Sequence, residues 1–326
     1  FSLPEVAVPR VFDVELESKF GFSASNVIDF FGVLTESVEA KLNERYKALF
    51  ALKSADTPYE MLVKYHELIG QDEEKADKTT KDLDCGEISK SSLFPMLLSH
   101  YDQRMPDIYL IDSNDLAEKL NVKEGVIDNL LKAFSYQFGD LGSQRKEHLF
   151  LDNPVWRKPI LSTRSGFYCV LPHSFFGFAF NALDEIIEEI DKDSLHDRRA
   201  DYLESKIGDI VKTRFPESQV VSGLKWNSGG IQYETDLIAI VDSHAIIIEA
   251  KSQKISRPAL RGAPKRIKKH LEEILVEPGI QSRRLEEKLN ELSHQDAPED
   301  SLAQDIPVDI RSIHKVLRVS VSLEDF

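Results

Sequence analysis

In the first half of the chain, apolar residues recur at the three- and four-residue spacing of amphipathic helices. The longest such run predicts one helix over residues 25–50. Thr57-Pro58 is typical of a helix cap followed by a first-turn proline, and it predicts a second helix to Ile69. Further helices are predicted over residues 89–100, over residues 115–120 and, after a short break at Asn121, through Ala133. The highly charged residues 71–84 are predicted to form a linker or a solvated helix.

Short β-prone runs replace the helical pattern after Pro154. They include Val155-Trp156, and Ser165-Gly166 provides a turn signal between two later runs, which predicts a β-hairpin near residues 155–172. An acidic stretch follows, and we place the boundary between two regions near residue 190. Residues 1–190 are therefore predicted to be a mainly helical accessory region that binds the substrate or a partner.

Beyond this boundary, strand patterns and helix patterns are mixed. The fold class predicted from them is α/β in the mixed α+β sense, with a mixed central sheet within residues 191–326. The predicted elements are a helix over residues 195–215, strands over 219–226, 230–241 and 244–251, a helix from about residue 265, another after Pro278-Gly279, and a last strand over 314–323.

The centre of this second region is a hairpin whose two-residue turn, Asp242-Ser243, joins two runs of β-branched residues. A turn centred there pairs residues whose numbers sum to 485, so Asp236 faces Glu249. Directly opposed Cβ atoms lie about 4.5–5.5 Å apart, and like charges so placed are destabilising. Lys251 projects from the same face as Glu249, because it lies two residues further along the strand.

Two carboxylates and an ammonium group thus converge at the end of an apolar hairpin. A divalent cation would relieve the repulsion, because Mg²⁺ takes oxygen ligands and is commonly held by one or two carboxylates together with substrate phosphates. The alternative is a surface hairpin that ends in an ordinary Glu–Lys pair, which does not explain why an acid faces an acid. The pattern therefore favours a metal site, in which Lys251 would orient or help to deprotonate a water molecule.

A third carboxylate, Glu204, lies on the packed side of the helix predicted over residues 195–215, with Gly208 one turn further on. A carboxylate in such a position is costly unless it is paired, hydrogen-bonded or near a metal. A place near the metal and a bond to Lys206 or Arg199 are equally consistent with the pattern. The apolar stripe itself comprises Ala200, Leu203, Ile207, Ile210 and Val211.

Composition narrows the class of protein. The chain has 326 residues, 41% of them hydrophobic, and no apolar run that would cross a membrane. Cys85 and Cys169 are far apart in the sequence, which predicts a cytoplasmic location and argues against a thiolate zinc site. The net charge of −15 argues against non-specific nucleic-acid binding over the whole surface.

One segment departs from this acidic average. Residues 251–270 include Lys268 and Lys269 among several basic side chains and contain no acid. A basic strip beside a carboxylate site suits a phosphate-bearing polymer that is held in one place, whereas alone it would indicate a solvated helix face. The nucleic-acid-binding residues predicted from the strip are Lys254, Arg257, Arg261, Lys265 and Arg266.

From Leu195 onward, the order helix, strand, strand, strand, helix, strand, together with Asp236 and Glu249-Ala250-Lys251, resembles the PD-(D/E)XK nuclease superfamily and its restriction-endonuclease-like fold. The resemblance assigns the acid of the second core strand to Asp236 and the Glu-x-Lys pattern of the third strand to Glu249 and Lys251. It also places Glu204 where a glutamate is often supplied by the first helix.

Two further positions bear on this resemblance. Gln281 is similar to a glutamine that some branches carry on the helix after the signature, although an ordinary amide at a helix edge is the alternative. Thr235 occupies the place of the proline that usually precedes the aspartate, and many branches lack that proline. Residues 1–190 resemble no family.

The resemblance implies a nuclease that uses Mg²⁺, with Mn²⁺ as a substitute, to hydrolyse phosphodiester bonds. DNA is the expected polymer, in a bacterial defence or repair setting. A catalytically inactive nucleic-acid-binding or assembly module on the same fold and an RNA-directed hydrolase stay open, as does a homodimer or protein partner bound through residues 1–190. The implied metal ligands are Asp236, Glu249, the Ala250 carbonyl and Glu204, and the implied catalytic set adds Lys251 and Gln281.

Overall fold

The computed structural model describes residues 10–71, 73–82, 88–295 and 300–323. It divides into two compact units, one built from residues 10–144 and 154–185 and the other from residues 145–153 and 186–323. The first unit is mainly helical with one small sheet, and the second carries a mixed four-stranded sheet. The predicted α+β class with a helical N-terminal region is therefore confirmed.

Within the described residues, the first unit contains eight whole helices, the first part of a ninth helix (residues 174–185) and three short strands. Strands β2 and β3 form the predicted antiparallel hairpin, and β1 runs parallel to β2. The elements are α1 (Asp13–Phe20), α2 (Ala24–Lys53), α3 (Pro58–Leu68), α4 (Glu73–Asp82), α5 (Lys90–Asp102), α6 (Met105–Tyr109), α7 (Ser113–Leu120), α8 (Glu124–Ala133), β1 (Ser135–Gln137), β2 (Ile160–Thr163) and β3 (Gly166–Cys169).

Local hydrogen bonds explain why these helices begin where the sequence predicts. The Thr57 hydroxyl accepts a hydrogen bond from the Glu60 amide at the start of α3, as a helix cap does.

The predicted strand at Val155-Trp156 is wrong, because Pro154–Trp156 is a 3₁₀ turn. The Pro154 carbonyl accepts hydrogen bonds from the amides of Arg157 and Lys158. Helix α4 occupies most of residues 71–84, while residues 72 and 83–87, and with them Cys85, lie outside the described residues.

The second unit is organised around one sheet in the order β4-β5-β6-β7, in which β4, β5 and β6 are antiparallel neighbours and β7 is parallel to β6. The predicted last strand of the sheet is thus confirmed. Its elements are α9 (Lys146–Leu149), α10 (Ser174–Arg214, of which residues from Ile186 belong here), β4 (Gln219–Ser228), β5 (Ile231–Val241), β6 (His244–Lys251), α11 (Arg257–Leu260), α12 (Pro264–Leu271), α13 (Glu277–Ser293), α14 (Ser301–Asp305) and β7 (Lys315–Ser322).

Helix α10 begins well before the residue that the apolar pattern predicts. It runs from Ser174 and kinks at Asp191, whose backbone leaves the helical region with φ −153° and ψ 96°. The Asp191 carboxylate accepts the amide of Ser194, so it caps the second half of the helix. That second half corresponds to the predicted helix over residues 195–215.

The two faces of the sheet bury separate apolar clusters. Leu203, Ile207 and Val211 of α10 pack on the face that presents Leu237, Ala239 and Ile248, whereas Ile210 is 53% exposed and does not belong to the predicted stripe. The opposite face packs against α13. That cluster comprises Leu224, Trp226, Ile238, Ile240, Ala245, Ile247, Leu285, Leu289, Leu292, Leu302, Ile306 and Ile310.

Helices α12 and α13 are continuous through a π-helical turn at Glu272–Val276, so the break predicted at Pro278-Gly279 is wrong. Proline lacks an amide donor, and it is tolerated in the first turn of a helical segment, where the donor would have no intrahelical partner. Pro278 is the second residue of the α-helical segment that follows the π turn, where the hydrogen-bonding pattern changes from π-helical to α-helical. The helix therefore continues through a dipeptide that ordinarily ends one.

Two glycines of the second unit should respond oppositely to alanine. A Cβ at Gly208 would meet the nearest side chain, Leu237, at 3.6 Å, an ordinary contact, whereas Gly223 has φ +59°. We expect Gly208→Ala to raise the free energy of unfolding by about 0.5–1 kcal/mol through helix propensity. Gly223→Ala should lower it by about 1–2 kcal/mol through left-handed strain. Urea unfolding measures both, and changes of the same sign would contradict this expectation.

Candidate metal-binding active site

The register of the focal hairpin is the one that the sequence predicts. Every pair along β5 and β6 sums to 485, from Val241↔His244 to Leu237↔Ile248, where the pairing ends. At the next step, the Asp236 carboxylate accepts the backbone amide of Ala250 at 2.6 Å. A side chain thus takes the place of a main-chain acceptor, and the two strands separate at this point.

The regular alternation of β5 also breaks at Asp236. Pairing of β4 with β5 passes from Ser222↔Leu237 to Leu224↔Thr235 and omits Gly223 and Asp236. In an unbroken strand Thr235 and Leu237 would share a face. Here Leu237 packs on the α10 face, while Thr235 bonds to Trp226 of the α13 cluster. Asp236 is therefore the turning point of the strand, with its side chain directed along the gap toward β6.

Glu249 is the buried member of the carboxylate pair, with only 1% of its surface exposed. Burial and then the charge of Asp236 raise its pKa to about 8, against the lowering effects of Lys251 and of a hydrogen bond with Thr235. Its Oε1 atom is buried and has no hydrogen-bond partner. Such an atom loses its hydration without compensation, which is costly for the ionised form.

Glu204 approaches the same group from helix α10. Its pKa is raised by desolvation first and then by the carboxylates of Asp236, Asp201 and Glu234, and the opposing cation is Lys251. Glu204 also raises the pKa of Glu249. The structure therefore brings Glu204, Asp236, Glu249 and Lys251 into one electrostatic group, although they come from three elements.

Lys251 links this group to helix α13. Its Nζ lies 3.5 Å from the Gln281 Oε1 atom, a long hydrogen bond in which the ammonium donates. Gln281 lies one helical turn before Leu285, which is buried in the α13 cluster, so packing of that helix places the amide. The glutamine predicted to accompany the signature is thus beside the lysine.

The chemistry of these residues fits a hard divalent cation. Glu249 offers an unpartnered oxygen inside a group of carboxylates whose mutual repulsion a cation would relieve. Within the described part of the chain, no three His, Cys, Asp or Glu side chains already form a ligand group. Asp236 and Glu249 are therefore the pair best placed to hold an ion, and Glu204 would have to turn to join them.

The basic residues of the strip differ in their exposure and in their partners. Lys265 and Arg266 are exposed on α12, as are Lys268 and Lys269, which form ion pairs with acids one turn further on. Arg261 instead donates through Nε to Asp152 at 2.9 Å, and the side chain of that acid is fully buried. The predicted binding residue Arg261 therefore has a structural partner within its own unit.

Lys254 and Arg257 complete the predicted strip. Lys254 is half-buried in the loop after β6, and Arg257 is exposed at the start of α11. Both lie between the lysine of the site and helix α12 along the chain.

Two residues near the site could not be recognised from the sequence as neighbours of Glu249. Trp226 donates through Nε1 to the Thr235 hydroxyl at 3.2 Å, and both side chains are buried. Thr235 in turn hydrogen-bonds to Glu249. Strict alternation along β5 puts Thr235 on the face opposite Asp236 and Glu249, so a sequence-based prediction misses this contact.

Comparisons with protein-family models, with curated proteins and with solved structures find no match to this chain. No helix in the described ranges is both long and apolar enough to cross a membrane. The functional conclusion therefore depends on the geometry of the site.

Burial of Glu249 should make the stability of the metal-free protein depend on pH. Its folded pKa of about 8 lies above the ordinary 4.5, so the folded state holds the proton more tightly between these values. The free energy of unfolding should then fall as pH rises from 5 to 8, by about 1 kcal/mol per pH unit. Glu249→Gln should remove most of this slope, as measured by urea unfolding in a chelator.

The exposed Glu217 of the same unit provides the control. Glu217→Gln should leave the slope of the wild-type protein unchanged. Equal slopes in the wild-type protein and in Glu249→Gln would contradict the burial of a proton at this carboxylate.

Proposed function

We propose that this protein is a metal-dependent nuclease that hydrolyses phosphodiester bonds, with DNA as its substrate. The observation that carries the proposal is the buried Glu249 carboxylate, whose Oε1 atom lacks a partner beside Asp236 and Lys251. An arrangement of that kind destabilises the folded protein unless it serves a ligand. A divalent cation would compensate this cost, because it carries positive charge and prefers oxygen ligands.

In this proposal, Asp236 and Glu249 hold Mg²⁺ or Mn²⁺, with the Ala250 carbonyl as a further ligand and Glu204 as a second acidic arm. An ion held there would supply Lewis-acid charge at the scissile phosphate and would favour deprotonation of the attacking water. The hydrogen bond that the Ala250 amide donates to the Asp236 carboxylate fixes Asp236 at the point where the strands separate. The protein thereby presents Asp236 and Glu249 on strands, and Glu204 on a helix, instead of on loops.

Lys251 positions the attacking water and offsets the negative charge that develops on the phosphate. Gln281 holds the lysine ammonium from helix α13, at 3.5 Å. A single lysine held between a carboxylate pair and an amide is suited to proton transfer at a fixed position. These roles make Lys251 and Gln281 the parts of the site that act on water and not on the metal.

The exposed basic side chains of α12 are suited to contact the phosphates of a nucleic acid. Lys265 and Arg266 face solvent and have the charge required for phosphate contacts, which hold a nucleic acid in position without reading its sequence. Because the whole chain carries a charge of −15, such contact would be confined to this segment. The proposed binding surface is therefore local.

Removal of the lysine should separate binding from cleavage. We expect Lys251→Ala to lower the rate of DNA cleavage by about 10²–10⁴-fold, because proton transfer and charge compensation are lost. DNA binding should persist in a mobility-shift assay. Asp236→Ala should abolish binding of Mn²⁺ measured by calorimetry.

Lys315→Ala is the matched control, because Lys315 is exposed on β7 and pairs with the far end of β6 at His244. Assays on plasmid DNA, single-stranded DNA and RNA would identify the polymer. Full cleavage by Lys251→Ala would refute the proposed mechanism. Metal binding without cleavage of any polymer would instead favour a binding module, and selective cleavage of RNA would favour an RNA-directed hydrolase.

The basic strip should divide into binding and structural residues. The double variant Lys265→Ala/Arg266→Ala should weaken DNA binding and reduce the slope of log affinity against log salt by about 2, with unchanged stability. Arg261→Ala should instead lower the free energy of unfolding by about 2 kcal/mol, because it removes the Nε donor that bonds to the buried Asp152 carboxylate. An unchanged salt slope in the double variant would remove α12 from the binding surface.

A further inference from the structure

A buried chain of hydrogen bonds leads from the sheet core to the carboxylate group. It comprises Trp226, Thr235 and Glu249, of which 2%, 1% and 1% of the surface is exposed. The indole Nε1 donates to the Thr235 hydroxyl at 3.2 Å, and Thr235 is hydrogen-bonded to Glu249. None of these groups has bulk water as an alternative partner.

The direction of the protons in this chain is fixed by chemistry. An indole nitrogen can only donate, so the Thr235 hydroxyl oxygen is the acceptor of that bond. A hydroxyl carries one proton, which then points to Glu249. An ionised carboxylate can only accept, so donation from Thr235 favours the charged form of Glu249 and lowers its pKa, against the larger effect of burial.

The other oxygen of Glu249 is thereby left for a ligand. Oε1 is buried and has no partner, so the Thr235 hydroxyl acts on the carboxylate without occupying that oxygen. Engagement of one oxygen prevents rotation of the carboxylate about its last torsion. The remaining lone pairs are then presented in one direction, as occurs when outer hydrogen bonds orient a ligand of a metal.

The indole is itself held firmly. Its ring stacks on Tyr233 with centroids 4.9 Å apart and an interplanar angle of 29°. The guanidinium of Arg284 lies over the Tyr233 ring at 5.3 Å. Trp226 also belongs to the apolar cluster under α13, so its Nε1 atom cannot turn away from Thr235 without disturbing that packing.

From these contacts we propose that Trp226 and Thr235 are positioning residues, which hold the Glu249 carboxylate so that its Oε1 atom points to a divalent cation. The inference rests on the cation site proposed above and adds two residues to it. Thr235 occupies the position at which the superfamily pattern has proline, a residue that has no hydroxyl. In this chain the bond to the glutamate is therefore made by a side chain outside the three-residue signature.

The test is the affinity for Mn²⁺ alone, measured by calorimetry in four variants of the full chain. Thr235→Val keeps the shape of the side chain and removes its hydroxyl, so its affinity should fall about 10–100-fold. Thr235→Ser keeps the hydroxyl and should restore affinity to within about threefold of wild type. Trp226→Phe keeps the ring stack, removes the N–H and should also weaken binding.

Thr213→Val is the matched control, because the Thr213 hydroxyl bonds to the Asp209 carbonyl on the surface of α10. It should bind Mn²⁺ as the wild type does. Circular dichroism and thermal unfolding would establish that each variant is folded. If Thr235→Val does not fold, the comparison of Trp226→Phe with Thr235→Ser still tests the chain of bonds.

The outcomes separate this inference from the proposed activity. Wild-type affinity in Thr235→Val or in Trp226→Phe would overturn it, as would equal weakening in Thr235→Ser, which would indicate packing instead of the hydroxyl. Cleavage that fails while Mn²⁺ binding follows the expected order would refute the nuclease and keep the positioning role. Absence of Mn²⁺ binding by the wild type would overturn both.

Discussion

The constraint on which the second unit depends is the burial of one carboxylate beside another. Glu249 has lost its hydration, and the nearby charge of Asp236 adds to the cost. The fold offsets part of this cost with Thr235 and Lys251, and it leaves one oxygen unpaired. Most of the arrangement around the site can be understood as a response to this single unfavourable placement.

The separation of β5 from β6 makes the placement sterically feasible. If the ladder continued past Leu237↔Ile248, the Ala250 amide would need a main-chain acceptor on β5. The Asp236 carboxylate supplies the acceptor instead, and alternation along β5 shifts by one residue. This shift brings Thr235 to the α13 side of the sheet, where Trp226 can reach it. One local irregularity therefore creates both the gap for a cation and the bond that orients its ligand.

The sequence predicts those parts of the site that local rules determine. A two-residue turn sets the register of the hairpin, so counting along two strands brings Asp236 and Glu249 one step past Leu237↔Ile248, the last pair of the ladder. Helical periodicity places Glu204 on the packed side of its helix, although the same rule includes Ile210, which is exposed. The resemblance to a superfamily pattern adds Gln281, which lies beside Lys251.

The rest depends on departures from regular geometry and on contacts distant in sequence. The strand shift at Asp236 breaks the two-residue period, so Thr235 is assigned to the wrong face. The helix continues through Pro278 by way of the π turn before α13, although proline in the sequence predicts that the helix ends there. The bond from Arg261 to Asp152 joins residues 109 positions apart, and no local pattern distinguishes this arginine from its basic neighbours.

The topology of the sheet also determines when the burial cost arises during folding. The hairpin of β5 and β6 closes through two residues, whereas β7 reaches β6 only after four intervening α-helices and a π turn. Local pairs form early and distant ones late. We therefore expect Asp236 and Glu249 to come together while still hydrated, and Glu249 to be desolvated when the helices pack on the sheet. Because interactions that form after the transition state act mainly on the unfolding rate, a cation at this site would prolong the lifetime of the folded state more than it would accelerate folding.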